Sequence, residues 1–167
     1  LIESPKGLLN AESIAVASDR SVGMSFGAED FAREMGLPLV KTKEAKEQLY
    51  ARSRIAIAAV VAGIQPIDII WTALSDLGGL AQECAQGRRL GFTGKIAIHP
   101  DQLAPIHEEF SPTLEELEYA NRVLSAYDEA VSNGTGAINF EGAFLEEPVV
   151  ARARRLKELA ERFPLEG

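Results

Sequence analysis

Short apolar runs alternate with longer amphipathic segments along this 167-residue chain, and the alternation predicts an α/β fold built from parallel strand–helix–strand units. Two further observations narrow the class. Four such units are counted, and the strand-like runs show no sheet-edge polarity, which together fit half of an eight-stranded (β/α)8 TIM barrel, a fold that in full takes about 250 residues. Residues 1–110 are therefore expected to form the barrel portion, and residues 111–167 a C-terminal extension of helix, loop or hairpin, and helix.

The elements follow in order. Leu1-Ile2-Glu3 reads as the end of a buried strand already under way, so the chain is expected to be part of a longer barrel. After Pro5 and Gly7, Asn10 is expected to cap a helix through Ala11, Ile14, Ala15 and Ala17. Residues 22–26 form the second strand, turning at Gly27 into a short helix over 28–35 that Gly36-Leu37-Pro38 breaks; a long helix then runs over about 43–62. The third strand is 67–72. Asp76 caps a helix that ends at Gly91, and the fourth strand, 95–98, ends at His99-Pro100, with Asp101 opening the next helix. Thr113 and Glu116 occupy capping-box positions for a helix running to about Val131. A small hairpin around Gly142, from 137–140 and 143–145, and a last helix begun by Pro148 complete the chain. If the barrel holds, Glu3, Asp30, Thr72 and His99 should share the rim at the strand carboxyl ends.

Composition excludes several classes. With 17 Lys and Arg against 25 Asp and Glu, a net charge of −8 opposes a nucleic-acid backbone role. The longest apolar run, residues 55–64, is far shorter than the roughly 20 residues that span a bilayer, and no basic n-region opens the chain, so no membrane partner and a cytoplasmic setting are expected. Cys84 has no partner for an internal disulfide and falls on a helical apolar pattern, where a small buried thiol is expected rather than a nucleophile.

Four motifs then occur in order: Ile2-Glu3-Ser4-Pro5-Lys6-Gly7, Phe26-Gly27-Ala28-Glu29-Asp30, Tyr50-Ala51-Arg52-Ser53-Arg54, and Gly91-Phe92-Thr93-Gly94-Lys95-Ile96-Ala97-Ile98-His99-Pro100, with Phe140-Glu141-Gly142 and Pro148 later. In order and spacing they resemble the citrate lyase β-subunit and malyl-CoA lyase family over essentially the whole chain. The resemblance implies a Mg²⁺-dependent barrel enzyme that cleaves or forms a carbon–carbon bond between a CoA thioester and a 2-oxo acid. It implies a homo-oligomer, trimer or hexamer, and it makes the barrel portion the second half. The preceding strands of the family, with its substrate-binding arginine and further acids, are not in this chain, and a half-barrel is expected to be neither stable nor active alone.

Glu3 and Asp30 resemble the family's two metal ligands, and carboxylates at adjacent strand ends converge on a point where Mg²⁺ takes one or two of them and fills its octahedron with water and substrate oxygens. The alternatives are a lysine-paired strand-end acid for Glu3 and a first-turn helix acid favoured by the dipole for Asp30. Gly27, Ala28 and Glu29 open a helix whose N–H groups can receive the substrate carboxylate, although strand-to-helix turn chemistry alone would also place a glycine there. The family's late motif supplies a catalytic carboxylate two residues before a proline, typically from a neighbouring subunit; here that residue is Glu146, where the family uses Asp, and the alternative is a solvated helix-start acid. That departure is the one sequence feature favouring a non-catalytic, scaffolding homologue of the same barrel.

Other candidates read as structural. His99 is expected to brace the rim through backbone hydrogen bonds, His107 to be exposed, Arg52 and Arg54 to serve as surface or inter-helix salt-bridge residues, and Trp71 to pack between helix and sheet. Glu115, Glu116 and Glu118 give one helix an acidic face; Arg152, Arg154, Arg155 and Lys157 give the last a basic one, with Leu156, Leu159 and Phe163 as an apolar stripe. These faces are solvated or contribute to subunit contacts.

Overall fold

The computed structural model describes residues 1–38, 46–134 and 138–162. The chain divides into two compact units, Leu1–Phe110 and Ser111–Gly167.

The first unit is α/β. Its helices are α1 (Pro5–Leu9), α2 (Ala11–Ala15), α3 (Ala28–Met35), α4 (Leu49–Val61), α5 (Leu77–Leu90) and α6 (Leu103–Phe110); its strands are β1 (Gly23–Ser25), β2 (Gln65–Asp68) and β3 (Gly94–Lys95). The sheet is parallel throughout, in the order β1-β2-β3, and Ile2 adds a parallel bridge to Phe26 on the free side of β1. Spatial order thus follows chain order, with a helical connection between each pair of neighbours.

The core lies between this sheet and the helices. Ile55, Ala58 and Ala59 of α4 are fully buried, joined by Met24, Phe26 and Ile69 from the strands and Leu8, Ala11 and Ala15 from α1 and α2. Leu80 and Cys84 of α5 pack with Ile106 of α6 in a second cluster that Trp71 and Ala97 flank. Cys84 is inert as expected: burial pushes its thiol up to about 11, where the nucleophilic thiolate is scarce.

Several element boundaries differ from those expected. The helix expected after Asn10 forms with Asn10 at its N-cap position, but it ends at Ala15 and a separate short helix, α1, precedes it. Ser4 caps α1 by accepting the Gly7 N–H at 3.0 Å, while Asn10 makes no side-chain cap for α2 and donates its Nδ2 back to the Lys6 carbonyl at 2.7 Å. The side chain therefore closes the helix behind it. The third strand lies earlier than 67–72, because the ladder is anchored among polar residues, Gln65 N–H to Val22 O at 3.0 Å and Thr93 N–H to Pro66 O at 2.9 Å. The apolar residues that suggested a strand, Ile69 and Trp71, are apolar because they pack under the helices from an irregular connection. Thr72 accordingly lies four residues beyond the strand end rather than at it. The fourth strand is likewise short, Gly94–Lys95, prolonged by the Ile96 N–H to Asp68 O bond at 3.2 Å. The expected helix start at 43 lies outside the described residues; a 3-10 turn, Lys46–Gln48, leads into α4.

Expected stops and caps do form. Asp76 accepts the Gly79 N–H at 2.8 Å at the start of α5, and Gly91, at φ 98°, ends it in a left-handed conformation that a side chain would strain.

The second unit is a helical hairpin with a small β-ribbon. α7 (Leu114–Ser132) begins with the capping box, in which Thr113 Oγ1 accepts the Glu116 N–H at 3.1 Å and Glu116 Oε2 accepts the Thr113 N–H at 2.8 Å. β4 (Asn139–Phe140) and β5 (Ala143–Phe144) pair antiparallel around Glu141-Gly142; residue 137 of the expected hairpin lies outside the described residues. α8 (Glu147–Arg162) packs along α7, burying Val150 and Ala153 against Ala120 and Val123, with Leu156 at the margin. Arg154 of the basic face stacks over Tyr127 at 5.3 Å and pairs with Glu147 at 3.5 Å, so it serves contacts within the unit. Phe163 of the apolar stripe lies outside the described residues.

Candidate functional site

The parallel strands bring their carboxyl ends to one edge, and the most distinctive arrangement there involves Glu3 and the start of α3. The Ile2 N–H donates to Ser25 O at 2.9 Å, and Ile2 O accepts the Gly27 N–H at 2.7 Å. These two bonds pin residue 3 beside Gly27, which caps α3 in an extended conformation. The Glu3 side chain lies directly over the Gly27 Cα: a Cβ there would sit 2.7 Å from Glu3 Oε1 and 2.9 Å from Cδ, closer than real Cβ atoms approach. Glycine is thus required by the carboxylate laid across it, beyond the needs of the turn. Phe26 and Phe31, edge to face at 5.0 Å, seat the helix on the strand end.

The Glu3 side chain and the α3 N-terminus opened by Gly27, Ala28 and Glu29 therefore lie together, and Asp30 stands in the first turn of the same helix. Asp30 carries its own partner, Arg33, at 2.8 Å, with the two side chains 48% and 79% exposed. An exposed pair one helical turn apart is worth well under about 1 kcal/mol, so the Asp30 carboxylate is readily given up to a stronger cation. Glu29 is exposed on the same turn.

Glu146 lies in the second unit, exposed, immediately before α8, where its carbonyl accepts the Val149 N–H at 2.9 Å. His99 braces its turn as expected: Nδ1 accepts the Asp101 N–H at 3.3 Å. His107 is exposed, and Arg54 joins α4 to α1 through the Leu8 carbonyl at 3.2 Å.

Arg52 is not a surface residue: its Nη1 joins α4 to α5 by donating to Gln86 Oε1 at 2.5 Å, while its salt bridge runs to a strand rather than to a helix. Fully buried, it grips Asp68 of β2 with both arms, Nε to Oδ1 at 3.0 Å and Nη2 to Oδ2 at 2.6 Å, and lies 5.9 Å from the Phe92 ring centroid. Lys95 of β3 adds its ammonium 3.5 Å from Asp68 Oδ2 and pairs closely with Glu83 of α5. Two cations thus face two carboxylates between sheet and helices, charge for charge, and Gly87 leaves the Asp68 carboxylate its room: a Cβ there would sit 2.5 Å from Asp68 Oδ2 and 3.2 Å from its Cγ. The signal was present: Arg52 is the first of two charges in a helix otherwise apolar on every side, and Asp68 sits in a strand flanked by Ile67 and Ile69.

Oxygen donors dominate the candidate site. Two carboxylates and a helix N-terminus, with no thiolate or imidazole among the described residues placed there, suit Mg²⁺, which binds through one or two carboxylates and keeps the rest of its shell for water and substrate. Among the described residues no group of three or more His, Cys, Asp or Glu side chains could enclose a metal, so a protein-only cage of the structural zinc type is not formed. The close packing of Glu3 on Gly27 yields a prediction. Gly27→Ala should leave the melting temperature within a few degrees, because the Glu3 side chain can swing away, but displace that carboxylate and weaken Mg²⁺ binding on the order of tenfold or more; thermal melts and a Mg²⁺ titration on one preparation check both halves.

Comparison with known proteins places this geometry in context. Residues 1–100 match the HpcH/HpaI aldolase/citrate lyase family. Citrate lyase subunit beta of Escherichia coli (strain K12) is 39% identical over 160 residues, 96% of this chain and 52% of that protein. The mitochondrial citramalyl-CoA lyase of Homo sapiens is 34% identical over 167 aligned positions, 95% of this chain and 48% of that protein. The crystal structure of protein CitE from Mycobacterium tuberculosis, in complex with magnesium, acetoacetate and coenzyme A, superposes with a TM-score of 0.81 at 30% identity, covering 95% of this chain and 58% of that one. The chain spans about half the length of the curated relatives it matches.

Proposed function

The chain belongs to the HpcH/HpaI aldolase/citrate lyase family, and from that premise we propose that it carries part of a Mg²⁺-dependent lyase. The reaction is cleavage, or formation, of a carbon–carbon bond in a 3-hydroxyacyl-CoA such as citryl-CoA, malyl-CoA or citramalyl-CoA, giving an acetyl-CoA-type thioester and a 2-oxo acid. The observation that carries this reading is the Glu3 carboxylate laid over Gly27 at the N-terminus of α3, one turn from Asp30. The proposed fold is the second half of a (β/α)8 barrel over residues 1–110, supported by a parallel sheet whose spatial order follows chain order without reversal. Residues 111–167 are proposed as an extension serving a neighbouring subunit in a cytoplasmic homo-oligomer, a trimer or hexamer.

Glu3 and Asp30 are the proposed ligands of Mg²⁺, which when bound supplies a Lewis acid that draws charge from the reacting hydroxyl or oxo oxygen. The N–H groups of Ala28 and Glu29, at the positive end of α3, receive the carboxylate of the 2-oxo acid half and fix its orientation. Gly27 keeps that approach open and leaves Glu3 its place. In cleavage a general base takes the hydroxyl proton, the oxo group forms as the C–C bond breaks, and the electrons of that bond pass to the carbon alpha to the thioester. Glu146 is proposed to deliver a proton to that carbon, and in condensation to remove one from it.

Substrates of this class differ near the reacting carbon by a carboxymethyl group, a methyl or a hydrogen, and a methylene is worth about 1–3 kcal/mol in a pocket. A panel of these CoA esters, assayed for 2-oxo acid release by the full-length protein that carries this chain, with and without Mg²⁺, tests the reading. The expected result is Mg²⁺-dependent release from at least one member. A folded protein that binds Mg²⁺ and cleaves none of them would overturn the lyase reading in favour of a non-catalytic homologue.

A further inference from the structure

Residues 69–76 join β2 to α5 without regular secondary structure, and a connection of that kind at a sheet edge is ordinarily mobile. Here it is tied at both ends. Gln102, in the 3-10 turn after β3, is 1% exposed and uses both ends of its amide: Oε1 accepts the Ile98 N–H at 2.9 Å, and Nε2 donates to the Trp71 carbonyl at 2.9 Å. The loop after β3 is thus joined to the loop after β2. The Trp71 indole continues the chain of bonds, Nε1 donating to Ala73 O at 2.9 Å and to Asp76 O at 3.0 Å, and its ring lies so close to Gly79 that a Cβ there would meet it at 2.7 Å. Within the loop, the Leu74 N–H reaches Thr72 O at 3.1 Å and the Asp76 N–H reaches Ala73 O at 3.0 Å.

β2 lies beside β1 in a parallel sheet, so this loop leaves the sheet at the same edge as Gly27 and Glu3. Apart from Asp76, whose carboxylate is spent on the α5 cap, its side chains are uncharged, and Ile70 and Leu74 remain 37% and 47% exposed.

We infer that Gln102 is a positioning residue: it holds the 69–76 loop as a preformed apolar wall of the substrate pocket, taking the uncharged part of the CoA ester. The inference rests on the lyase reading above. A buried amide satisfied at both ends, with one bond to each of two loops, fixes their separation more tightly than a single contact would. Removing it frees the wall without touching the groups that meet the reacting atoms, so ground-state binding suffers more than the chemical step.

The test is Gln102→Met, which keeps the volume and loses both hydrogen bonds, with Trp71→Phe as a second variant that keeps a ring and loses the Nε1 donor. KM for the cleaved CoA ester is expected to rise about tenfold while kcat stays within about threefold, and the Leu74 and Asp76 amides should exchange with solvent faster well below the melting temperature. If both variants keep the wild-type KM and show only a lower melting temperature, Gln102 is a stabilising contact and the positioning role is overturned. Unchanged loop exchange overturns the tie itself. A wild-type protein inert toward every CoA ester sinks the lyase reading instead, a result visible before any variant is made.

Discussion

Asp30→Asn is expected to lower kcat/KM for CoA-ester cleavage on the order of a thousandfold, with Glu3→Gln close behind, because a metal acting as a Lewis acid contributes several kcal/mol and each 1.36 kcal/mol is a factor of ten in rate. Both substitutions keep size and hydrogen-bonding capacity while removing the anionic oxygen. Neither should harm the fold. Asp30 is half exposed, its pair with Arg33 is a surface one, and the dipole it complements is worth about 0.3–1 kcal/mol. Rates measured across a Mg²⁺ titration, beside circular-dichroism melts, separate the two effects. A lost rate with an intact melt is the expected result, and a rate within tenfold of wild type in both variants would remove these residues from the site.

Arg52→Met addresses the fold. The substitution leaves Asp68 buried beside Lys95 alone, with its bidentate partner gone, and breaking a buried pair in this way costs about 3–5 kcal/mol. Domains are typically stable by about 5–15 kcal/mol, so urea titration should show the midpoint fall steeply or the protein fail to fold. Adding Asp68→Leu to Arg52→Met should recover much of the loss, since two apolar side chains then replace two charges and the Lys95–Glu83 pair remains. Equal stability of Arg52→Met and wild type would mean that water reaches the cluster and satisfies Asp68.

The contrast between these two groups shows what the sequence made legible. Local chemistry was readable: the Thr113–Glu116 box, the Asp76 cap, the Gly91 stop and the turn at Glu141-Gly142 each depend on residues within four positions of one another. So was the order of strands and helices, which follows from the period of the apolar pattern. Strand ends were not, because burial and ladder pairing are separate properties, and Ile69 and Trp71 have the first without the second. The helix start after Asn10 was legible as well, although its amide bonds backward to Lys6 rather than forward into the helix. The Arg52–Asp68 pair spans 16 positions and the Lys95–Asp68 pair 27, so no local rule joins them, and a charge within an apolar helix and an acid set between two isoleucines were the signals left unused. The candidate site lay between these extremes. Its residues were named by motif, and the laying of Glu3 across Gly27 emerged only when the Ile2–Phe26 bridge brought two distant segments together.

Mg²⁺ binding, followed by isothermal titration calorimetry with a 2-oxo acid present, tests the central claim most directly when the wild-type protein is compared with the Glu3→Gln, Asp30→Asn double variant. The account predicts a single Mg²⁺ site per chain in the wild type and none in the double variant at the same concentrations. Equal binding by the two proteins would contradict it, since the cation would then be held by groups other than the carboxylates at the start of α3.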